Sequence, residues 1–134
     1  MPTIIRKSLP TTVESRREIY QAITWHVRTS MSSWTPPTDV YETEENFIVR
    51  MEIAGMQEDD FIVAVENNVL MISGNRHDLN ERRAYHQMEI RIGKFEIAVE
   101  IPVSVEIDRA VAEYKDGFLL IRLPKINSKD IKVA

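Results

Sequence analysis

The chain has 134 residues, 43% apolar and 28% charged, a balance that suits a folded domain and excludes a disordered polyelectrolyte. Its longest apolar run is the five residues 61–65, too short for a membrane span, and the absence of cysteine excludes disulfides, thiolate metal sites and cysteine nucleophiles. The net charge of −4 divides into +3 over residues 1–33, +2 over 124–134 and −9 between them, and an acidic body argues against nucleic acid as a partner.

Met1-Pro2-Thr3-Ile4-Ile5-Arg6-Lys7 lacks an apolar signal core, so a cytoplasmic address is expected. Thr11-Thr12-Val13-Glu14 then has the form of a capping box, with the Thr11 hydroxyl and the Glu14 carboxylate placed to cover orphan amides. Ile19, Ala22, Ile23, Val27 and Met31 recur at spacings of three and four, which predicts a helix. Tyr20 and Trp25 lie off that stripe, leaving two readings: a helix that covers a sheet, or a sticky helix that exchanges partners. The apolar excess makes Ile19, Tyr20, Ile23, Trp25 and Val27 candidates for binding other proteins. Trp34-Thr35-Pro36-Pro37 ends the helix, because consecutive prolines exclude it.

From there the period becomes two. Phe47, Val49, Met51 and Ile53 share one face, as do Phe61, Val63 and Val65. Asn67-Asn68 supplies a turn that tolerates positive φ, and Leu70 and Ile72 return inward. Residues 95–101 alternate until Pro102, and Ala110 to Tyr114 is joined to Phe118–Leu123 by a turn at Lys115-Asp116-Gly117. Short strands without alternating helices predict an all-β protein, an antiparallel immunoglobulin-like β-sandwich with an N-terminal helical arm and an extended C-terminal tail. The polar stretch 75–87 is too long for an ordinary connection, which marks it as functional or disordered.

Catalytic chemistry has little support. His77 and His86 sit near Asp78 and Glu81, but their spacing matches no helical or hairpin ligand pattern, and no metal or other cofactor is expected. The acidic runs Glu44-Glu45 and Glu58-Asp59-Asp60 adjoin strand starts, where solvated turns are expected. No phosphate-binding glycine loop or nucleophile elbow is present, so the chain is not expected to be an enzyme. Ile131-Lys132-Val133 places two aliphatic side chains on one side of an extended segment, a weak signal alone.

An ordered series of motifs resembles the small heat shock proteins, the α-crystallin/Hsp20 family, of prokaryotic type. It runs from Trp34-x-Pro36-x-x-Asp39-Val40-Tyr41-Glu42-Thr43 through Ala54-Gly55-Met56, Asn68-Val69-Leu70-x-Ile72-x-Gly74, Glu89-x-x-x-Gly93-x-Phe95 and Ile101-Pro102. It closes on Ala112-x-x-x-Asp116-Gly117-Phe118-Leu119-x-Ile121-x-Leu123-Pro124-Lys125, close to the family's A-x-x-x-N-G-V-L signature.

The resemblance implies an arm over 1–33, an α-crystallin domain over 34–124 and an extension over 125–134 whose Ile131 and Val133 anchor an oligomer. It implies a receiving groove between edge strands, with Val63, Val65, Ala112 and Tyr114 as walls. It also implies a dimer made by strand exchange, with Ala84, Tyr85, His86, Gln87 and Met88 given to Val40, Tyr41, Glu42 and Thr43 of a second copy. Ile97 stands where the family often carries a dimer-pairing Arg, leaving Arg82, Arg83, Arg91 or apolar contact to replace it.

The function implied is an ATP-independent holdase: dimers in a larger homo-oligomer bind unfolding clients and pass them to ATP-dependent chaperones, with no nucleic-acid or integral membrane partner. The alternative from another class is a p23-like co-chaperone or adaptor. Such modules lack the exchange loop and aliphatic triplet, and a monomeric state would identify one.

Overall fold

The alternating segments become pleated strands because residues two apart share a face and bury it together. The computed structural model describes residues 34–126. They form β1 (Thr38–Glu42), β2 (Asn46–Glu52), β3 (Phe61–Glu66), β4 (Val69–Arg76), β5 (Gly93–Glu100), β6 (Val111–Lys115) and β7 (Phe118–Pro124). Single 3-10 turns at Glu58–Asp60 and Ile107–Arg109 precede β3 and β6. The predicted arm and the Ile131-x-Val133 anchor lie outside the described residues.

Two antiparallel sheets result, one ordered β1-β2-β7-β6 and the other β3-β4-β5. Their facing sides are the faces expected from the alternation: Val49, Met51, Leu119, Ile121 and Leu123 from the larger sheet meet Phe61, Val63, Leu70, Ile72 and Phe95 from the smaller. All ten are buried. The Phe95 ring stacks edge-on against Trp34 and Phe61, with ring centroids 5.5 and 6.4 Å away. Gly74 faces Phe95 across β4 and β5, and a Cβ there would come within 2.7 Å of the ring, so this packing requires glycine.

The β3–β4 and β6–β7 hairpins turn through left-handed residues. Asn67 and Asn68 (φ 50° and 63°) join β3 to β4, and Asp116 and Gly117 (φ 53° and 83°) join β6 to β7. Paired positive φ values match the right-handed strand twist, which is why Asn, Asp and Gly occupy these positions. Ile97 pairs with Ile72 and packs against the core from β5. The position that would hold a pairing Arg thus serves as apolar filling.

Candidate functional site

Three features of this frame are open to other chains. The first is β1, an edge strand that among the described residues pairs only with β2. Val40 and Tyr41 are exposed on it, and its outer backbone edge is a template for an added strand. Thr43 departs from the expected receiver. It lies beyond β1, where its N–H donates to Asn46 O at 2.8 Å and its hydroxyl accepts the Asn46 N–H at 3.0 Å. Those bonds close the β1–β2 turn, so Thr43 belongs to the hairpin and not to the free edge.

The second is the excursion between β4 and β5, residues 77–92. Ala84, Tyr85, His86, Gln87 and Met88 form no strand within the single chain. Leu79 and Ile90 are each 72% exposed, and Tyr85 and Met88 are exposed as well. Local polar bonds shape this loop. Arg83 pairs with Asp78 and Glu81, and its Nε donates to the Tyr85 hydroxyl at 2.8 Å. The Leu79 N–H and then the Arg83 guanidinium hold the Asp78 carboxyl below its ordinary value. Tyr85 and Asp78 hold the Arg83 guanidinium above its own. Arg83 is therefore occupied inside its loop.

Arg76, the last residue of β4, secures the base of this excursion. Its Nε donates to Arg91 O at 2.9 Å, a bond that Nη2 duplicates, and Nη1 donates to Ala54 O at 3.2 Å. The guanidinium also lies over the Trp34 ring, 4.4 Å from its centroid, while Trp34 Nε1 donates to Gly93 O at 3.1 Å. One side chain thus joins the loop's two ends to the domain entry. Alternation alone misses it, because the signal is a planar donor fork at a strand end rather than a periodicity.

The third feature is an apolar cleft between β3 and β6, the adjacent edges of the two sheets. Val63, Val65 and Ala112 line it, with Ala64, Ala110 and Val111 beside them and Leu70, Ile121 and Leu123 beneath. Tyr114 lies outside that lining. Its ring packs on Phe61 at 5.0 Å, its hydroxyl donates to Ile53 O at 2.8 Å, and it accepts the Met56 N–H at 3.3 Å. A tyrosine hydroxyl drawn partly out of water needs polar partners. Here they lie in the segment that follows β2. Only about 10 Å³ of the cleft is free, room for about one water, so an aliphatic guest requires its lips to part.

The root of the tail is held nearby. Lys125 pairs with Glu42 of β1 at 2.9 Å, its N–H donates to Glu45 O, and the Ile126 N–H donates to Ser104 O. Among the described residues, no three metal-capable side chains converge, and no helix is long and apolar enough to cross a membrane.

Against known proteins, the Hsp20/alpha crystallin family model matches residues 39–134. Small heat shock protein C4 of Rickettsia felis is 30% identical over 105 residues, covering 75% of this chain and 64% of that protein. A probable 15 kDa heat shock protein of Leptospira interrogans is 34% identical over 90 residues, covering 67% and 69% respectively. Among solved structures, heat shock protein 16.0 from Schizosaccharomyces pombe superposes with a TM-score of 0.66 at 26% identity, over 76% of this chain and 96% of that one. The matched part of the chain thus spans just under two thirds of the Rickettsia relative's length.

Proposed function

Because this chain belongs to the Hsp20/alpha crystallin family, we propose that it is an ATP-independent holdase, which binds unfolding proteins and keeps them from aggregating. The observation that carries the reading is the pairing of an open strand edge, β1, with an excursion whose apolar side chains stay outside its own sandwich. An edge and a loop of this kind satisfy each other between two copies. The exchange pairs Ala84, Tyr85, His86, Gln87 and Met88 of one copy with Val40, Tyr41 and Glu42 of the next, which also shields β1 from uncontrolled pairing. With Arg83 occupied and Ile97 turned inward, apolar contact through Met88 and Ile90 is the main addition to the backbone bonds.

Dimers then join through Ile131 and Val133, seated in the β3–β6 cleft of a neighbour. Burying the pair is worth about 3–6 kcal/mol gross, from which lip opening and ordering of the tail must be subtracted. A single tail is therefore weak. Many tails in one closed particle hold it through high effective concentration while leaving it able to exchange. Clients are bound by the arm residues Ile19, Tyr20, Ile23, Trp25 and Val27, in the cytoplasm, and are passed to ATP-dependent chaperones.

The test is light scattering from a thermally aggregating client without nucleotide. The full chain should suppress scattering near stoichiometric ratio, and a chain lacking residues 1–33 should protect much less while its sandwich keeps its circular dichroism. Oligomer mass is measured alongside, since assembly and client binding can be lost together. No protection by the full chain refutes the holdase reading, and equal protection by the truncated chain refutes the arm as its surface.

A further inference from the structure

The outer face of the β3-β4-β5 sheet is buried locally, at Met71 and Ala64, while Ile62, Lys94, Ala98 and Glu100 on the same face are exposed. In β3 the inward residues Phe61, Val63 and Val65 alternate with Ile62, Ala64 and Glu66, which face away from the core. The cross-strand row Ala64–Met71–Ala98 crosses the middle of that outer face. Met71 is nonetheless only 4% exposed and Ala64 only 7%, and neither belongs to the core cluster. A methionine flanked by two alanines in its row cannot be covered by those neighbours. On the other sheet, buried outward Ile48 differs, because it lies in a row with the long side chains of Tyr41 and Arg122.

Among the described residues, no strand or 3-10 turn forms a layer over this face. The face is also acidic. Glu66, Glu96 and Glu100 lie on it against Lys94, and Glu66 Oε2 is buried without a hydrogen-bond partner. A buried carboxylate oxygen of that kind calls for a cation or donor from outside the sheet.

We infer that this face is the docking site of the chain's own N-terminal segment, residues 1–33. The segment meets the domain at the right place, because Trp34 forms a parallel bridge with Phe95 on β5, an edge strand of this very sheet. Its charge is complementary: five Lys/Arg against two Glu, a net +3, facing three glutamates and one lysine. Its shape fits too. Three strands span about 10 Å, the width of one helix, and the helix predicted over the arm carries the apolar stripe needed to cover Met71. Own-chain docking is favoured over docking from a second copy because the tether at Trp34 keeps the local concentration of the segment high. The inference stands apart from the holdase reading, since an arm can cover this face whether or not it binds clients.

The absence of native cysteine makes the test direct. Four full-length double variants combine Ala98→Cys with Ile19→Cys, Ala22→Cys, Ile23→Cys or His26→Cys, and each is oxidised mildly and run on a non-reducing gel. Lys115→Cys, on the other sheet, replaces Ala98→Cys as the control. At least one Ala98→Cys pairing should form an intrachain disulfide ten-fold faster than its control. In parallel, an Ala64→Cys variant should react slowly with maleimide, and Ile19→Asp with Ile23→Asp should accelerate that labelling at least ten-fold while circular dichroism is unchanged. Crosslinks no faster than the control, crosslinks only between chains, or labelling indifferent to the arm substitutions would each overturn the proposal.

Discussion

Replacing Arg76 tests whether one side chain ties the exchange loop to the domain entry. Arg76→Ala removes donors to Arg91 O and Ala54 O and the cation over Trp34. Solvent exposure brings each of these bonds below the usual charge-assisted range, to about 0.5–1 kcal/mol, and a cation–π contact there contributes about 0.5–1 kcal/mol. Three interactions therefore sum to about 1.5–3 kcal/mol. Arg76→Lys keeps the charge but has a single donor centre, so it should recover less than half. Urea unfolding gives the stability change, Trp34 fluorescence reports the entry, and hydrogen exchange over residues 77–92 reports the loop. The expectation is a lower midpoint, a red-shifted Trp emission and faster exchange at both loop ends, graded Arg, Lys, Ala. A stability change below about 0.3 kcal/mol with unaltered loop exchange, or a lysine variant equal to the parent, would refute the argument.

Other perturbations address the remaining features. Replacing residues 77–90 by a short Gly-Ser linker should give a folded monomeric sandwich by analytical ultracentrifugation, with Arg76 retained; a dimer of parental affinity would rule out strand exchange. Ile131→Ala with Val133→Ala should reduce the particle to dimers by light scattering without changing the circular dichroism, and native mass would remove the tail from assembly. In the loop, the folded-state pKa of Asp78 is depressed, first by the Leu79 N–H and then by Arg83, so its contribution is present above the unfolded value and is lost as pH falls through the lowered folded one. NMR shifts of Asp78 and Tyr85 should therefore hold to lower pH than those of an ordinary aspartate, and Arg83→Gln should move the midpoint of Asp78 up.

The strands and their inward faces were legible in the sequence because pleating is local: Phe61, Val63 and Val65 bury one face wherever the strand is placed. The β3–β4 and β6–β7 turns were legible for the same reason, since Asn67-Asn68 and Asp116-Gly117 carry their backbone preference with them. The exposed excursion showed itself through length and polarity, and the family through the order of its motifs. Edges and long-range bonds were not legible. Tyr114 alternates with Ala112 and so reads as a cleft wall, but its hydroxyl finds Ile53 O across 61 positions, and only stacking of the sheets decides that. Thr43 continues the β1 motif in sequence, yet the turn claims its hydrogen bonds. Arg76, Trp34 and Gly93 come together only when β4 and β5 pair and the entry segment lies along them. The burial of Met71 and Ala64 was not legible, because alternation distinguishes the two sides of a strand and nothing more. Whether a second layer covers the outer side is set by elements far away in the chain, and only the tertiary structure records their burial.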